Sequence, residues 1–344
     1  MDEHFGVSPG TRVCKNCILD SQIPGITIHA ETGLCQFCEH FTPRSKAKGE
    51  EYRVQMDTLF RSPPAGGKYD VIFAISGGID SSYSLYRLKQ EYPHLNILAV
   101  QFDNGFISET ALENAQKFCT LTHSAYLRVK LDQNTLNDTF YKASVSTNAY
   151  PGYAKYRASD ICNTCISIVK QKIIELALST RSPYIVFAFS PGQTDTPFIP
   201  LTKPFLVWMR NLFEGNLKAL GVAERDEYLI DARFVQSGSP EPEVTIIHPF
   251  LIWDYNKSEF KKECLLLGWI DPDLQDHNSS NCLLNAFAIK NHLDKYHIHP
   301  YAYDMATLVR QGNLNRKDAR EKLTVNVSDA SIEEVQRELT RNRK

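Results

Sequence analysis

Hydrophobic positions fall into distinct regimes along the 344 residues of the chain. Between Tyr69 and about Trp253, apolar runs of strand length (Val71 to Ile75, Ile97 to Phe102, Ile185 to Phe189) alternate with longer stretches in helical spacing. Strands covered on both faces read as continuous apolar runs, and their alternation with helices predicts an α/β fold with a parallel, doubly wound sheet. Ligands of such sheets bind beyond the carboxyl ends of the strands. Upstream, EEYRVQMDTLFRS sets Tyr52, Met56 and Leu59 on one helical face, and Pro63 to Gly67 breaks that helix. From about residue 254 the spacing is helical, ending in ASIEEVQRELTRNRK, which is expected to be a solvated helix or frayed tail. Four units are expected: a cysteine-bearing module at 1–43, a linker with one helix at 44–68, the sheet domain at 69–253 and a helical C-terminal region at 254–344.

Composition narrows the class. With 42% hydrophobic and 23% charged residues the chain is globular in character, and it holds no apolar run near the ~18 residues of a membrane span. MDEHFGVSPGTR has neither the basic nor the apolar part of a secretory signal, so a cytoplasmic, reducing location is expected, with no membrane partner. A net charge of -2 excludes a globally basic nucleic-acid binder. It leaves room for a local basic face around Arg44, Lys46 and Lys48. In a reducing compartment the nine cysteines pose a metal or redox question.

Four of them are paired. Cys14 and Cys17 are followed by seventeen residues and then by Cys35 and Cys38. That spacing fits a zinc template in which two turns bring four thiolates to one tetrahedral site, with Zn2+ folding a segment too short to build a core. Four buried thiols, or an iron cluster on the same four, are the alternatives. Cys119 and Cys264 have no partner at motif spacing and are expected to be buried thiols.

After the strand VIFAI comes Ser76-Gly77-Gly78-Ile79-Asp80-Ser81-Ser82, and then a helix. Glycines that permit a positive φ and close approach, followed by hydroxyls and free N–H groups at a helix start, suit an anion; Asp80 or Ser81 suits the N-cap. The second strand runs into Asp103-Asn104-Gly105, with Ser108 opening the next helix. Ser190-Pro191-Gly192-Gln193-Thr194-Asp195 follows another strand end. There Gly192 could admit a ligand, and Gln193 and Asp195 could orient a carbonyl.

A second set of thiols opens two helices: Cys162 and Cys165 in DICNTC, and Cys282 in NCLL. Thiols at i and i+3 share a helix face, and a helix N-terminus lowers thiol pKa. Three thiols can hold a [4Fe-4S] cluster with one iron open, carry a persulfide, or simply pack in a core. His292, His297 and His299 in HLDKYHIHPY are expected to mix a solvated helix end with a turn at Pro300.

SGGIDSS resembles the SGGxDS loop of the PP-loop ATP pyrophosphatases, the adenine nucleotide alpha hydrolase superfamily. The resemblance implies a HUP-type sheet that binds ATP with Mg2+. Ser76, Gly77, Gly78, Asp80 and Ser81, with Ser82 beside them, would hold the pyrophosphate side, and Asp103 and Asn104 would lie against the adenosine. It also implies adenylation of a substrate carbonyl oxygen with release of pyrophosphate, followed by displacement of AMP by sulfur or nitrogen. Ile79 stands where many members have lysine. The set Cys162, Cys165 and Cys282 looks like the cluster-dependent thiolation branch, with a sulfur donor as partner. CKNCILDSQIPGITIHAETGLCQFC is similar instead to N-acetyl sugar amidotransferases, which would take ammonia from a partner glutaminase. Sulfur transfer is the leading expectation because ammonia transfer leaves the three thiols without a role. The substrate could be a small molecule, a carrier-bound group or RNA, and a homodimer is compatible with the chain. A zinc-bearing nucleotide-binding scaffold without catalysis is the third reading.

Overall fold

The computed structural model describes residues 10–222, 226–272, 281–324 and 329–341. Six strands form one sheet: β1 (Val71–Ala74), β2 (Ile97–Asp103), β3 (Ala125–Lys130), β4 (Tyr184–Phe187), β5 (Phe198–Leu201) and β6 (Val244–Ile247), in the order β3-β2-β1-β4-β6-β5. Every pairing is parallel except β5 with β6. The chain moves outward from β1 to β3 and then returns to lay β4 on the other side of β1. The crevice between the carboxyl ends of β1 and β4 is therefore the topological switch point, where a ligand is expected.

A one-turn helix α1 (Gln36–Glu39) and a longer helix α2 (Lys46–Arg61) precede the sheet. Helices α3 (Ile79–Glu91) and α4 (Glu109–Leu121) follow β1 and β2, and α5 (Gln133–Val145), α6 (Gly152–Lys155) and α7 (Asp160–Thr180) lie between β3 and β4. Then come α8 (Lys203–Ala219), α9 (Lys257–Leu266), α10 (Leu284–Tyr296), α11 (Ala302–Arg310), α12 (Arg316–Lys322) and α13 (Asp329–Thr340). Successive residues of β1 point to opposite faces and so serve two cores. Val71 and Phe73 pack with Leu85, Leu88, Phe118 and Phe260 of α3, α4 and α9. Ile72 packs with Ile173, Ile174, Ala177 and Leu206 of α7 and α8. All of these side chains are buried, and burial of each larger one is worth about 1.5–3 kcal/mol.

The sequence expectations need three corrections. The N-cap of α3 is Gly78, ahead of Asp80 and Ser81, because Gly77 at φ +79° already turns the chain into the helix. The C-terminal helix is docked: Ile332, Val335 and Leu339 form one buried stripe of α13 in a core with Leu136 and Phe140 of α5 and Phe287 of α10; the last three residues of the tail lie outside the described ones. His292 and His299 are buried rather than solvated. His297 ends α10 in the left-handed region at φ +57°, which turns the chain back on itself.

The N-terminal module packs on α11 and α12. Ile18, Leu19, Ile26 and Ile28 of the N-terminal module share a core with Ala302, Ala306 and Ala319 of α11 and α12. No helix among the described residues is long and apolar enough to cross a membrane.

Candidate active site: a phosphate loop beside three cysteines

The β1–α3 turn is built from its own hydroxyls. Ser81 Oγ accepts from Ser76 N at 3.1 Å and donates to Gly78 O at 3.1 Å, while Ser76 Oγ accepts from Gly78 N at 3.3 Å. A Cβ on Gly77 would collide with the Ala111 carbonyl of α4. Trp269 Nε1 donates to Gly77 O at 3.0 Å, and Gln101 Nε2 donates to Ser76 O at 3.3 Å. Ser82 is fully buried. Asp80, in the first turn of α3, accepts from Tyr255 OH at 3.2 Å and lies 3.7 Å from Lys257 Nζ. The result is a preformed glycine turn at a helix N-terminus with a carboxylate and an ammonium on one side, suited to a magnesium-bound polyphosphate.

Asp103 and Asn104 end β2 and face different tasks. Asp103 is held by Arg128 Nε at 2.9 Å, Lys130 at 3.0 Å and Gly105 N at 2.9 Å. Burial pushes its carboxyl up, but the Gly105 N–H, Lys130 and Arg128 outweigh it and hold the pKa below the ordinary value. Asn104 turns toward sulfur, its Nδ2 standing 3.5 Å from both Cys165 Sγ and Cys282 Sγ.

Two segments far apart in sequence supply these thiols and Cys162. Ser159 caps α7 by accepting from Cys162 N at 3.0 Å, which fixes Cys162 and Cys165 on its first two turns. Cys282 is fixed by a β-bridge to Ile107, in which Ser108 N donates to Asn281 O at 3.1 Å and Leu283 N to Phe106 O at 2.8 Å. Cys162 Sγ lies 3.7 Å from Asn285 Oδ1, which also accepts from Tyr301 OH at 2.6 Å. All three cysteines are half-buried. The lowering expected from the helix N-terminus does not prevail at Cys165. Burial pushes this thiol up and Cys282 adds to the shift, against the Asn104 hydrogen bond; position six of α7 lies past the turn where the dipole acts. Asn281, one residue before Cys282, lies against the phosphate loop, with its Cγ 3.8 Å from where a Cβ on Gly78 would stand.

Residues 69–182 match the family model described as the tRNA methyl transferase HUP domain. The matched stretch is thus similar to a HUP domain, in line with the PP-loop resemblance carried by Ser76 to Ser82. An uncharacterized protein of Methanocaldococcus jannaschii is 24% identical over 313 residues, 90% of this chain and 92% of that one. Among solved structures, the chain is similar to the U34-tRNA thiolase NcsA from Methanococcus maripaludis with its [4Fe-4S] cluster (15% identity, 96% of this chain and 88% of that chain, TM-score 0.40). It is also similar to the ammonia-dependent NAD synthetase of Campylobacter jejuni (16% identity, 42% and 58% of the two chains, TM-score 0.31).

Segments outside the matched stretch also reach the site. Lys257 on α9, Tyr255 and Trp269 reach the phosphate loop, and Cys282 and Asn285 complete the thiol site. Spacing gave no signal for Lys257, Gln101, Asn285 or Tyr301, because each acts through contacts made across the fold. The 190–195 turn behaves differently from the loop at Ser76. The Gln193 amide oxygen accepts from Ser190 N at 3.0 Å, and Asp195 accepts from Thr196 at 3.1 Å. The close approach that Gly192 allows is to the Asp304 carbonyl on α11, 2.6 Å from where a Cβ would stand. Of the three N-terminal cations, Arg44 donates to Leu251 O, and Lys48 pairs with Glu51 at 2.7 Å.

The N-terminal thiols form a separate centre. All four sulfurs of Cys14, Cys17, Cys35 and Cys38 lie within 4.8 Å of one another and are buried. Cys17 and Cys35 sulfurs are 3.7 Å apart, matching the edge of about 3.8 Å for a tetrahedron of ~2.3 Å metal–sulfur bonds. Arg310 of α11 donates to Cys38 Sγ at 3.4 Å, and Arg316 of α12 donates to Cys14 O at 2.9 Å. Two cations thus offset a thiolate-rich centre and tie it to the C-terminal helices. Cys119 and Cys264 are buried in the sheet core.

Proposed function

We propose that the chain is an ATP pyrophosphatase-type enzyme that activates a substrate carbonyl oxygen and replaces it with sulfur. The single observation carrying this reading is the meeting of Cys162 and Cys165 of α7 with Cys282, whose neighbour Asn281 lies against the phosphate loop. An enzyme using ammonia has no need of three thiols there, whereas sulfur delivery requires soft ligands near the activated carbon.

In this reading ATP–Mg2+ lies on residues 76–82, with the loop N–H groups and Lys257 neutralising charge on the phosphates and Asp80 facing the metal. The substrate oxygen attacks the α-phosphate; the bond from that phosphorus to the bridging oxygen breaks and pyrophosphate leaves. A sulfur at the sulfide level, supplied by an external donor, attacks the carbon. The carbon–oxygen bond breaks and AMP carries the oxygen away, so no net oxidation occurs. Positioning and charge neutralisation supply most of the rate.

Three thiolate donors suit a [4Fe-4S] cluster with one iron open, and Asn104 directs N–H donors at two of these sulfurs. Such a cluster, when bound, supplies an iron to which sulfide can bind. Cys162, Cys165 and Cys282 would be its ligands, and half-burial leaves the centre reachable. The N-terminal tetrad takes Zn2+ in a structural role.

The test is ATP-dependent pyrophosphate release with carbonyl-bearing RNA, carrier-bound and small-molecule substrates, given sulfide or ammonia. The reading expects a sulfur-for-oxygen mass gain of about 16 Da with sulfide only. An amidine formed with ammonia would replace it with the sugar amidotransferase.

A further inference from the structure

We infer that Asn104 tunes the sulfur centre rather than reading the adenosine. The inference rests on the cluster reading above and deepens it. Asn104 is buried, so both ends of its amide need partners. Its Oδ1 accepts from Phe106 N at 2.9 Å, and its backbone oxygen accepts from Gln133 Nε2 at 3.1 Å. The backbone bond decides the amide orientation: a flipped side chain would set an NH2 against the Phe106 N–H. The two amide hydrogens are therefore left for two acceptors, and the two groups at hydrogen-bond distance are Cys165 Sγ and Cys282 Sγ, each at 3.5 Å.

One side chain thereby spans thiols contributed by α7 and by the segment entering α10. Asn104 follows directly on Asp103, which Arg128 and Lys130 clamp to β3. The donor is thus mounted on the end of a rigid strand, as positioning of a ligand sulfur requires. N–H donors aimed at ligand sulfurs favour the more negative, reduced state of an iron–sulfur centre and raise its potential. Asn104 is a positioning residue, acting through Cys165 and Cys282.

The experiment is a potentiometric titration of anaerobically reconstituted full-length protein, with iron content measured on each sample. The variants are Asn104→Asp, which keeps the oxygen that accepts from Phe106 N while removing the donor, and Asn104→Leu, which removes both. Midpoint potentials should fall in the order wild type, Asn104→Leu, Asn104→Asp, the last carrying an added negative charge as well. Equal potentials in iron-replete Asn104→Asp and wild type would overturn the inference while leaving the cluster reading intact. Wild-type protein that takes up no iron would overturn both. A role confined to shaping the loop predicts an unshifted potential in the iron-replete fraction of Asn104→Leu, with any fall in Asn104→Asp due to its added charge alone, and that result also counts against the inference.

Discussion

Lys257 Nζ lies 3.7 Å from Asp80 Oδ2, so a phosphate loop with isoleucine at position 79 gains an ammonium group from the start of α9. The pair is partly exposed, and by itself contributes at most about 1 kcal/mol to stability. In the proposed function its value is in placing charge beside the leaving pyrophosphate. Lys257→Ala should therefore lower the rate of pyrophosphate release by about 10²-fold with little change in the melting temperature. Asp80→Ala should abolish release while far-UV circular dichroism stays unchanged. A rate within twofold of wild type for either variant would remove that residue from the nucleotide site.

In the proposed function the thiol trio serves the second of two half-reactions. Cys282→Ala leaves the phosphate loop untouched, so ATP binding measured by calorimetry should remain within a few-fold of wild type while sulfur-containing product disappears. Cys162→Ala should behave alike, and the double variant should lose no more than either single one, because the three act as a unit. Product formed by Cys282→Ala would show that this thiol is packing.

The N-terminal tetrad predicts a long-range effect. Cys17→Ser should lose the bound zinc, and hydrogen exchange should then rise in α11 and α12, whose residues Ala302, Ala306 and Ala319 pack on the module and whose Arg310 and Arg316 bond to it. Chelation of the wild-type metal should give the same exchange pattern. Protection unchanged in both helices would mean that the module is an independent appendage.

Buried ionisable groups under the C-terminal helices set a pH optimum for stability. Burial lowers His292 to about 4 and His299 to about 3, against about 6.5 in an unfolded chain. Between about pH 4 and 6.5 the unfolded chain binds protons that the folded one refuses, so this contribution is present above pH 6.5 and is lost on acidification. Burial raises Asp304 to about 8, with Arg157 opposing. Between about pH 4 and 8 the folded chain keeps a proton that the unfolded one releases, so this contribution weakens stability as pH rises through that window. Two histidines outweigh one aspartate below pH 6.5, and the aspartate acts alone above it. Urea midpoints should peak near pH 6.5, and Asp304→Asn should flatten the fall toward pH 8. An unaltered alkaline limb in that variant would contradict the assignment.

Local chemistry made the sheet and the phosphate loop legible before the structure. Strands such as VIFAI are apolar on both faces, and the glycine turn follows directly in sequence, so periodicity and spacing carry them. The tetrad was equally readable, since its ligands come as two close pairs. What escaped depends on distant segments. Lys257 reaches Asp80 only through the packing of α9 on α3, and nothing in its neighbourhood marks it. The resemblance puts Asn104 near adenosine, and the proximity of its amide to sulfurs of Cys165 and Cys282 is a contact that no local pattern marks. The stripe of Ile332, Val335 and Leu339 was present in the tail, but the dense charge around it reads as a solvated helix until α5 and α10 are seen beneath.

The most direct measurement is iron, acid-labile sulfide and zinc per chain in anaerobically purified protein, compared between wild type and Cys162→Ala. The account predicts about four irons and four sulfides with one zinc in the wild type, and zinc alone in the variant. Zinc alone in both would contradict it, and would turn the choice of nucleophile toward nitrogen.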